Sequence, residues 1–157
     1  MMKLYKRVDG ELHFFETWDI NDKTGALHKG IVGQHGEYKE IKSGVFSNFR
    51  KKIQIEIDSY CKDGYKEVDI DDYFTLLIEF TVEGIGTQRD LEKRTRLEAK
   101  MNETLGWVGL GHCDGGSIGS GTMEVCCFVI DFEIAKLVIE QDLKNTEFSN
   151  YRRIYLE

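Results

Sequence analysis

Proline is absent from this 157-residue chain. Cis-proline turns, polyproline segments and proline-rich linkers are therefore excluded. No apolar run approaches the roughly 18 residues that a membrane-spanning helix requires. The first residues, Met-Met-Lys-Leu-Tyr-Lys-Arg, lack the apolar core and the cleavage site of a secretion signal. We expect a cytoplasmic protein that has no membrane partner.

Cysteine is scarce, and its spacing matches no disulfide framework. Together with the missing secretion signal, this favours free thiols at Cys61, Cys113, Cys126 and Cys127. No Walker motif, His-Glu-x-x-His motif, Ser-His-Asp order or paired-carboxylate site stands out in the sequence. The leading expectation is a protein that is not an enzyme and that holds no cofactor and no metal ion.

The charge is unevenly distributed along the chain. Residues 1–66 contain 12 basic and 10 acidic residues, whereas residues 67–157 contain nine basic and 18 acidic ones. The net charges of the two parts are therefore +2 and −9, which agrees with −7 for the whole chain. An acidic protein repels a phosphate backbone, so general affinity for nucleic acid is not expected. The asymmetry indicates two domains, with a boundary at residues 66 and 67.

The first part predicts four antiparallel strands over residues 2–8, 12–20, 26–33 and 37–42. Asp9-Gly10 is typical of a type I′ turn between the first two strands. After Ser43, apolar residues recur at spacings of three and four, which predicts an amphipathic helix. Ser43 or Ser47 is its expected N-cap and Gly64 its C′ residue; its apolar stripe is Phe46, Phe49, Ile53, Ile57 and Tyr60.

This part of the chain, residues 2–66, resembles the WGR domain. Lys29-Gly30-Ile31-Val32-Gly33, followed by Gly36, matches the glycine turn of that family, and Lys62-Asp63-Gly64-Tyr65 matches its ending. Phe14-Phe15-Glu16 stands where the family has an aromatic-aromatic-Glu strand. The resemblance implies an antiparallel sheet with one helix. It also implies contact with nucleic acid, because WGR domains occur in nucleic-acid-associated proteins.

Two departures weaken the implied contact with nucleic acid. Lys29 replaces the Trp and Ile31 replaces the Arg that give the family its name. The chain thereby loses a planar aromatic group and a phosphate-pairing guanidinium. Nucleic-acid binding is kept as an alternative function, with the candidate contacts Lys29, Lys39, Arg50, Lys51 and Lys52.

The second part predicts the order β-α-β-β-α-β, which is that of a ferredoxin-like α+β domain. Its clearest strand covers residues 73–82, and Thr87 is the expected N-cap of a helix over residues 88–105. Asp131 is the expected cap of the second helix, and residues 151–156 form the closing strand. Between the helices, two apolar runs at 107–112 and 123–130 predict a hairpin whose second strand is buried on both faces.

The predicted loop of this hairpin is long, at roughly eight to ten residues, and long ordered loops often carry function. Glycines in it could bring amides to a phosphate, His and Cys could bind a metal, and Cys113 could act as a nucleophile beside His112 or His35. A purely structural role explains the same residues. The candidate ligand-binding residues are His112, Cys113, Asp114, Gly115, Gly116, Ser117 and Ser120.

The sequence as a whole favours an α+β protein with a WGR-like domain followed by a ferredoxin-like domain. The leading functional hypothesis is a non-enzymatic module, regulatory or immunity-like, that recognises another protein through its acidic second half. Nucleic-acid binding through the WGR-like domain and small-ligand or metal binding at residues 111–127 are the alternatives.

Overall fold

Two four-stranded antiparallel sheets and three α-helices organise the chain, as the predicted α+β class requires. The computed structural model describes all residues, Met1–Glu157, and divides into two compact units, Met1–Ile70 and Asp71–Glu157. We call them unit 1 and unit 2. None of the three helices is both long and apolar enough to cross a lipid bilayer.

Unit 1 is a meander whose four strands pair in chain order. Asp9 and Gly10 both have positive φ, 51° and 85°, and form the expected tight turn between the first two strands. The elements are β1 (Met2–Val8), β2 (Glu11–Asn21), β3 (Thr24–Ile31), β4 (Glu37–Lys42) and α1 (Phe49–Lys62).

The core of unit 1 lies between α1 and one face of this sheet. Phe49, Ile53 and Ile57 of α1 are buried at the spacings of three and four that the sequence shows. They pack with Leu4, Phe15, Leu27 and Tyr65. Gly64 follows the helix with a φ of +95°, in the predicted C′ role.

In unit 2 the sheet order is β6-β7-β5-β8, with every neighbouring pair antiparallel. A short 3₁₀ turn, Ile70–Asp72, leads into it. The elements are β5 (Phe74–Thr81), α2 (Gln88–Trp107), β6 (Gly111–Gly119), β7 (Thr122–Val129), α3 (Phe132–Leu143) and β8 (Arg153–Leu156).

The helix starts of unit 2 agree with the sequence. Thr87 and Asp90 form a reciprocal capping box at the start of α2, with the Asp90 amide donating to Thr87 Oγ1 at 3.2 Å. The Asp131 carboxylate accepts the Ile134 amide at 3.0 Å and caps α3. Short polar side chains at the N-cap positions therefore fix the residues at which both helices begin.

Two predictions for unit 2 were wrong. Trp107 is the last residue of α2 rather than the first of a strand, so the predicted strand over residues 107–112 does not form. β7 alternates strictly between buried and half-buried residues, so only one of its faces is buried. The buried face includes Val125 and Cys127, and the opposite, half-buried face carries Thr122, Glu124, Cys126 and Phe128.

Candidate functional site

The glycine-rich segment, residues 111–121, is a strand and a tight turn rather than a long loop. β6 takes up residues to Gly119, and only Ser120 and Gly121, with φ of 51° and 85°, connect it to β7. A β-bulge interrupts the pairing between Cys113 and Gly116. At Gly116 a Cβ atom would lie 2.0 Å from the Glu124 carbonyl oxygen, so close backbone approach requires glycine there.

Side chains of α2 hold the bulge in place. The Cys113 amide donates to Asn102 Oδ1 at 2.8 Å, and the Gly115 amide donates to Glu98 Oε1 at 3.3 Å. Arg94 Nη1 donates to the Gly116 carbonyl at 3.3 Å. Arg94, Glu98 and Asn102 are spaced four residues apart and form one stripe along the helix. Two of the amides that a phosphate could use, those of Cys113 and Gly115, are therefore already hydrogen-bonded.

The remaining candidate ligand residues of this segment do not converge. His112 and Asp114 are exposed, and Ser117 donates its hydroxyl to Glu124 Oε2 at 3.2 Å. Ser120 is exposed in the turn. The chain contains no group of three or more His, Cys, Asp or Glu side chains with the geometry to bind a metal ion.

Cys113 and Cys127 are joined by a disulfide bond, so the prediction of four free thiols was wrong. They are direct cross-strand partners in the β6–β7 pair, an arrangement that residue spacing alone does not reveal. Both are buried, and a nucleophilic role for Cys113 is excluded while the bond is intact. Cys61 and Cys126 are free. Since disulfides are rare in a reducing cytosol, cytoplasmic localisation stays a prediction with weaker support.

The other face of the unit 2 sheet carries an ion-pair cluster that sequence analysis missed. Glu79, only 2% exposed, accepts from Arg153 Nη2 at 2.8 Å, and this hydrogen bond holds the pKa of Glu79 below its usual range. Arg152 Nη1 lies 3.2 Å from the same carboxylate. Opposite Glu79, Glu124 accepts the Tyr155 hydroxyl at 2.5 Å. Two carboxylates and two guanidinium groups balance each other, so we assign the cluster a structural role.

Unit 1 has its own buried charged row. Lys3, Glu16 and His28 occupy directly paired positions on three adjacent strands. Glu16 Oε1 lies 2.7 Å from His28 Nδ1, and Glu16 Oε2 lies 3.3 Å from Lys3 Nζ. Burial acts to raise the pKa of Glu16, but His28 and Lys3 outweigh it and hold the pKa below its usual range. The Glu16 carboxylate therefore has a partner on each neighbouring strand of the sheet.

The five candidate nucleic-acid contacts do not form one free basic surface. A hydrogen bond with Tyr60 raises the pKa of Lys29, which lines a cavity of about 400 Å³ with Tyr60. Arg50 forms an ion pair with Asp19 at 2.8 Å, and Lys52 Nζ donates to the Lys42 carbonyl at 3.0 Å. Lys39 and Lys51 are exposed.

Two highly exposed apolar side chains lie next to each other in the loop between β4 and α1. Val45 is 93% exposed and Phe46 102% exposed, and we call this pair the apolar tip. The prediction that Phe46 belongs to the helix was wrong, because Asn48 caps α1 and Phe49 is its first residue. Periodicity places Phe46 on the helical stripe but does not show where the helix begins.

Hydrogen bonds close the loop behind the apolar tip. The Gly44 amide donates to the Ser47 carbonyl at 3.0 Å, and the Ser47 amide donates back to Gly44 at 3.5 Å. The prediction that Ser43 or Ser47 is the N-cap was wrong, because Asn48 has that role; Ser43 instead accepts the Phe49 amide through its hydroxyl at 3.0 Å. A short closed loop therefore presents two large apolar groups to solvent.

No protein-family model matches the chain, and no curated protein or solved structure is significantly similar to it. The resemblance to the WGR domain therefore rests on the residues alone and stays a prediction. Function has to be argued from the geometry of the chain itself.

Proposed function

We propose that this protein is a non-enzymatic interaction module that binds another protein through the apolar tip. In this proposal unit 1 is a WGR-like domain and unit 2 a ferredoxin-like one. The four-stranded sheet with one helix supports the first assignment. The β-α-β-β-α-β order, with each helix-linked strand pair separated by another strand, supports the second. The protein would then carry out a regulatory or immunity-like role by binding its partner, without catalysing a reaction.

The exposure of Val45 and Phe46 carries the proposal. Single exposed apolar residues are normal on a protein surface, but an adjacent pair on a closed loop is less readily explained that way. Burying a phenylalanine or valine side chain contributes about 1.5–3 kcal/mol. Aromatic anchors inserted in a pocket are typical of protein interfaces. A partner that covers both side chains would recover that free energy.

The charge distribution favours the acidic second half of the chain as the recognition surface. The surface proposed here lies in the other half. The apolar tip belongs to unit 1, and nothing comparable in unit 2 combines two adjacent large apolar side chains at such exposure. A contribution of the acidic half to binding stays a prediction.

The alternatives have less support. Three of the five candidate phosphate contacts are engaged within unit 1, and an apolar tip gains nothing from a phosphate backbone. At residues 111–127, a ligand that binds the Cys113 or Gly115 amide would have to displace the hydrogen bonds from α2. We therefore propose protein binding ahead of both.

Photo-crosslinking from position 46 tests the proposal. A benzophenone amino acid replaces Phe46 or, as the control, Ile55, which is 69% exposed on α1 of the same unit. After crosslinking in cells of the source, the captured protein is identified by mass spectrometry and purified. Its affinity is then measured by calorimetry for the unmodified chain and for Phe46→Ser and Ile55→Ser.

We expect one partner to be captured from position 46 and not from position 55. Phe46→Ser should weaken its binding by about 30-fold, the effect of losing a central anchor, while Ile55→Ser leaves it unchanged. A purified partner that binds Phe46→Ser as tightly as the unmodified chain would contradict the proposal.

A further inference from the structure

Basic residues flank the apolar tip in the chain. Lys42 precedes the loop directly, and the Lys23 carbonyl accepts the Ser43 amide at 2.9 Å, which brings that residue beside it. The first turn of α1 adds three more basic residues in succession, Arg50, Lys51 and Lys52. Four basic residues therefore lie within six positions of the tip, and Lys23 is joined to its loop by a backbone hydrogen bond.

The carboxylates of unit 1 neutralise only part of this charge. Asp19 pairs with Arg50 at 2.8 Å, but both side chains are about half exposed. Glu40 lies 3.8 Å from Lys42, whose side chain is 71% exposed, so that pair is loose. Lys51 and Lys23 have no carboxylate partner. Positive charge therefore exceeds negative charge around the tip.

Helix stability does not account for these basic residues. The N-terminal end of a helix carries partial positive charge, which favours Asp and Glu in the first turn and disfavours Lys and Arg. The first turn of α1 contains no acidic residue. By contrast, Asp90 and Glu133 occupy the first turns of α2 and α3. The basic first turn therefore lowers the stability of α1, so its charge is better explained by binding than by folding.

We infer that the partner presents to the apolar tip a protein surface in which an apolar recess is bordered by carboxylates. This inference rests on the proposed function and adds the chemistry of the partner. Val45 and Phe46 would fill the recess, and Lys51 and Lys23, which form no ion pair within unit 1, would pair with the surrounding Asp and Glu. Such border charges mainly speed association and select the partner.

A nucleic acid or an anionic lipid surface fits the observations less well. Both present extended negative charge to the whole molecule, whose own net charge is −7. Asp19 and Glu40 near the tip would also face that charge. A recess in a protein engages the tip at short range, and its carboxylates can be arranged around these two residues.

The test uses random peptides displayed on phage and selected on the intact protein alone, so that peptides binding elsewhere on the surface are also recovered. The best peptides are synthesised, and their association and dissociation rates are measured for four variants. Phe46→Ser removes the anchor, and Lys51→Glu reverses a border charge. Lys62→Glu reverses an exposed charge in the last turn of the same helix, so it is the matched control. Ile55→Ser controls for loss of an exposed apolar group.

We expect the selected peptides to combine apolar residues with Asp and Glu. Phe46→Ser should speed dissociation, and Lys51→Glu should slow association by about tenfold and reduce its salt dependence. Lys51→Glu should also raise the midpoint of thermal unfolding, and Lys62→Glu should lower it without changing either rate. Loss of binding in a more stable variant is an effect that a purely structural role for Lys51 would not produce.

The possible failures are distinguishable. Binding that depends on Phe46 but selects neutral or basic peptides, or that is indifferent to Lys51→Glu, overturns the inference and leaves the proposed function in place. Selected peptides that bind Phe46→Ser equally well overturn both. Phe46-dependent binding to phosphatidylserine-containing vesicles or to a DNA duplex, with no peptide selected, overturns the protein partner.

Discussion

The glycine-rich segment and the loop before α1 each have a structure opposite to the one that their sequences predict. The predicted loop is a strand, and the predicted helix start is a loop. The first has seven glycines between positions 106 and 121 and reads as a flexible, functional loop. In the structure it is a paired strand, held to α2 by three hydrogen bonds and to β7 by a disulfide. The sequence of the second predicts the start of a helix, yet in the structure it is a loop with two adjacent apolar side chains that are almost fully exposed.

This contrast shows that glycine content and functional exposure are separate properties. Glycine is required wherever backbone approaches backbone, as at Gly116, and such contact makes a segment rigid. Whether an apolar side chain is exposed depends on where the helix starts. Here the helix is capped by Asn48, so Phe46 lies outside it. The predictions below test the contrast, beginning with the largest expected effect.

Gly116→Ala should unfold or severely destabilise unit 2. Its Cβ would lie 2.0 Å from the Glu124 carbonyl oxygen, which is backbone and cannot move aside without breaking the β6–β7 pairing. We expect a loss of about 3 kcal/mol or more in the free energy of unfolding, measured by urea denaturation. A free energy of unfolding close to that of the unmodified chain would show that this segment is a flexible loop rather than a tightly paired strand.

Gly106→Ala is the matched control. It lies within α2, and a Cβ there meets no atom within 4 Å. Alanine in the interior of a helix should raise stability by about 0.5–1 kcal/mol.

Loss of the disulfide should have the next largest effect. Thiol titration of the folded, oxidised protein should find two reactive groups after denaturation without reductant and four with it, because only Cys61 and Cys126 are free. The double change Cys113→Ala/Cys127→Ala should cost about 3 kcal/mol, as expected for a closed loop of this length. Four thiols without reductant would mean that the bond is absent.

Asn102→Ala should cost about 1–3 kcal/mol, because it leaves the Cys113 amide without its acceptor. Hydrogen exchange at that amide should accelerate in the variant. Asn150→Ala removes an exposed amide that accepts from Lys93, so it serves as the control with an effect below about 0.5 kcal/mol. An unchanged rate of hydrogen exchange at the Cys113 amide would show that Asn102 of α2 does not hold the bulge in place.

Phe46→Ser should change the free energy of unfolding least, by less than about 0.5 kcal/mol. The ring contacts solvent in the folded state, so its removal leaves no cavity. Denaturation curves of the variant and the unmodified chain should superimpose. A loss of more than about 1 kcal/mol would show that Phe46 packs within the protein, and the apolar tip could not then serve as a free anchor.

Most elements were predictable because they follow local rules. The Asp9-Gly10 turn, the edge strand β4 and the caps Thr87 and Asp131 all depend on residues within a few positions of one another. The α+β class follows from the change between alternation and helical periodicity along the chain.

The features that were missed depend on distant pairing. The disulfide requires the β6–β7 register, and the Glu79–Arg153 ion pair joins residues 74 positions apart. The strand character of residues 111–119 depends on α2 supplying acceptors for the bulge. The exposure of Phe46 was missed for the opposite reason, since a very local event, the Asn48 cap, overrides a periodic pattern.

The strand order of unit 2 has a consequence for synthesis on the ribosome. Unit 1 pairs each strand with its neighbour in the chain, so its sheet and α1 can form once residue 70 has emerged. The central strand of unit 2, Phe74–Thr81, must wait for β7 on one side and for Arg153–Leu156 on the other. That apolar strand stays unpaired while more than 40 further residues are synthesised, an interval in which a nascent protein depends on chaperones.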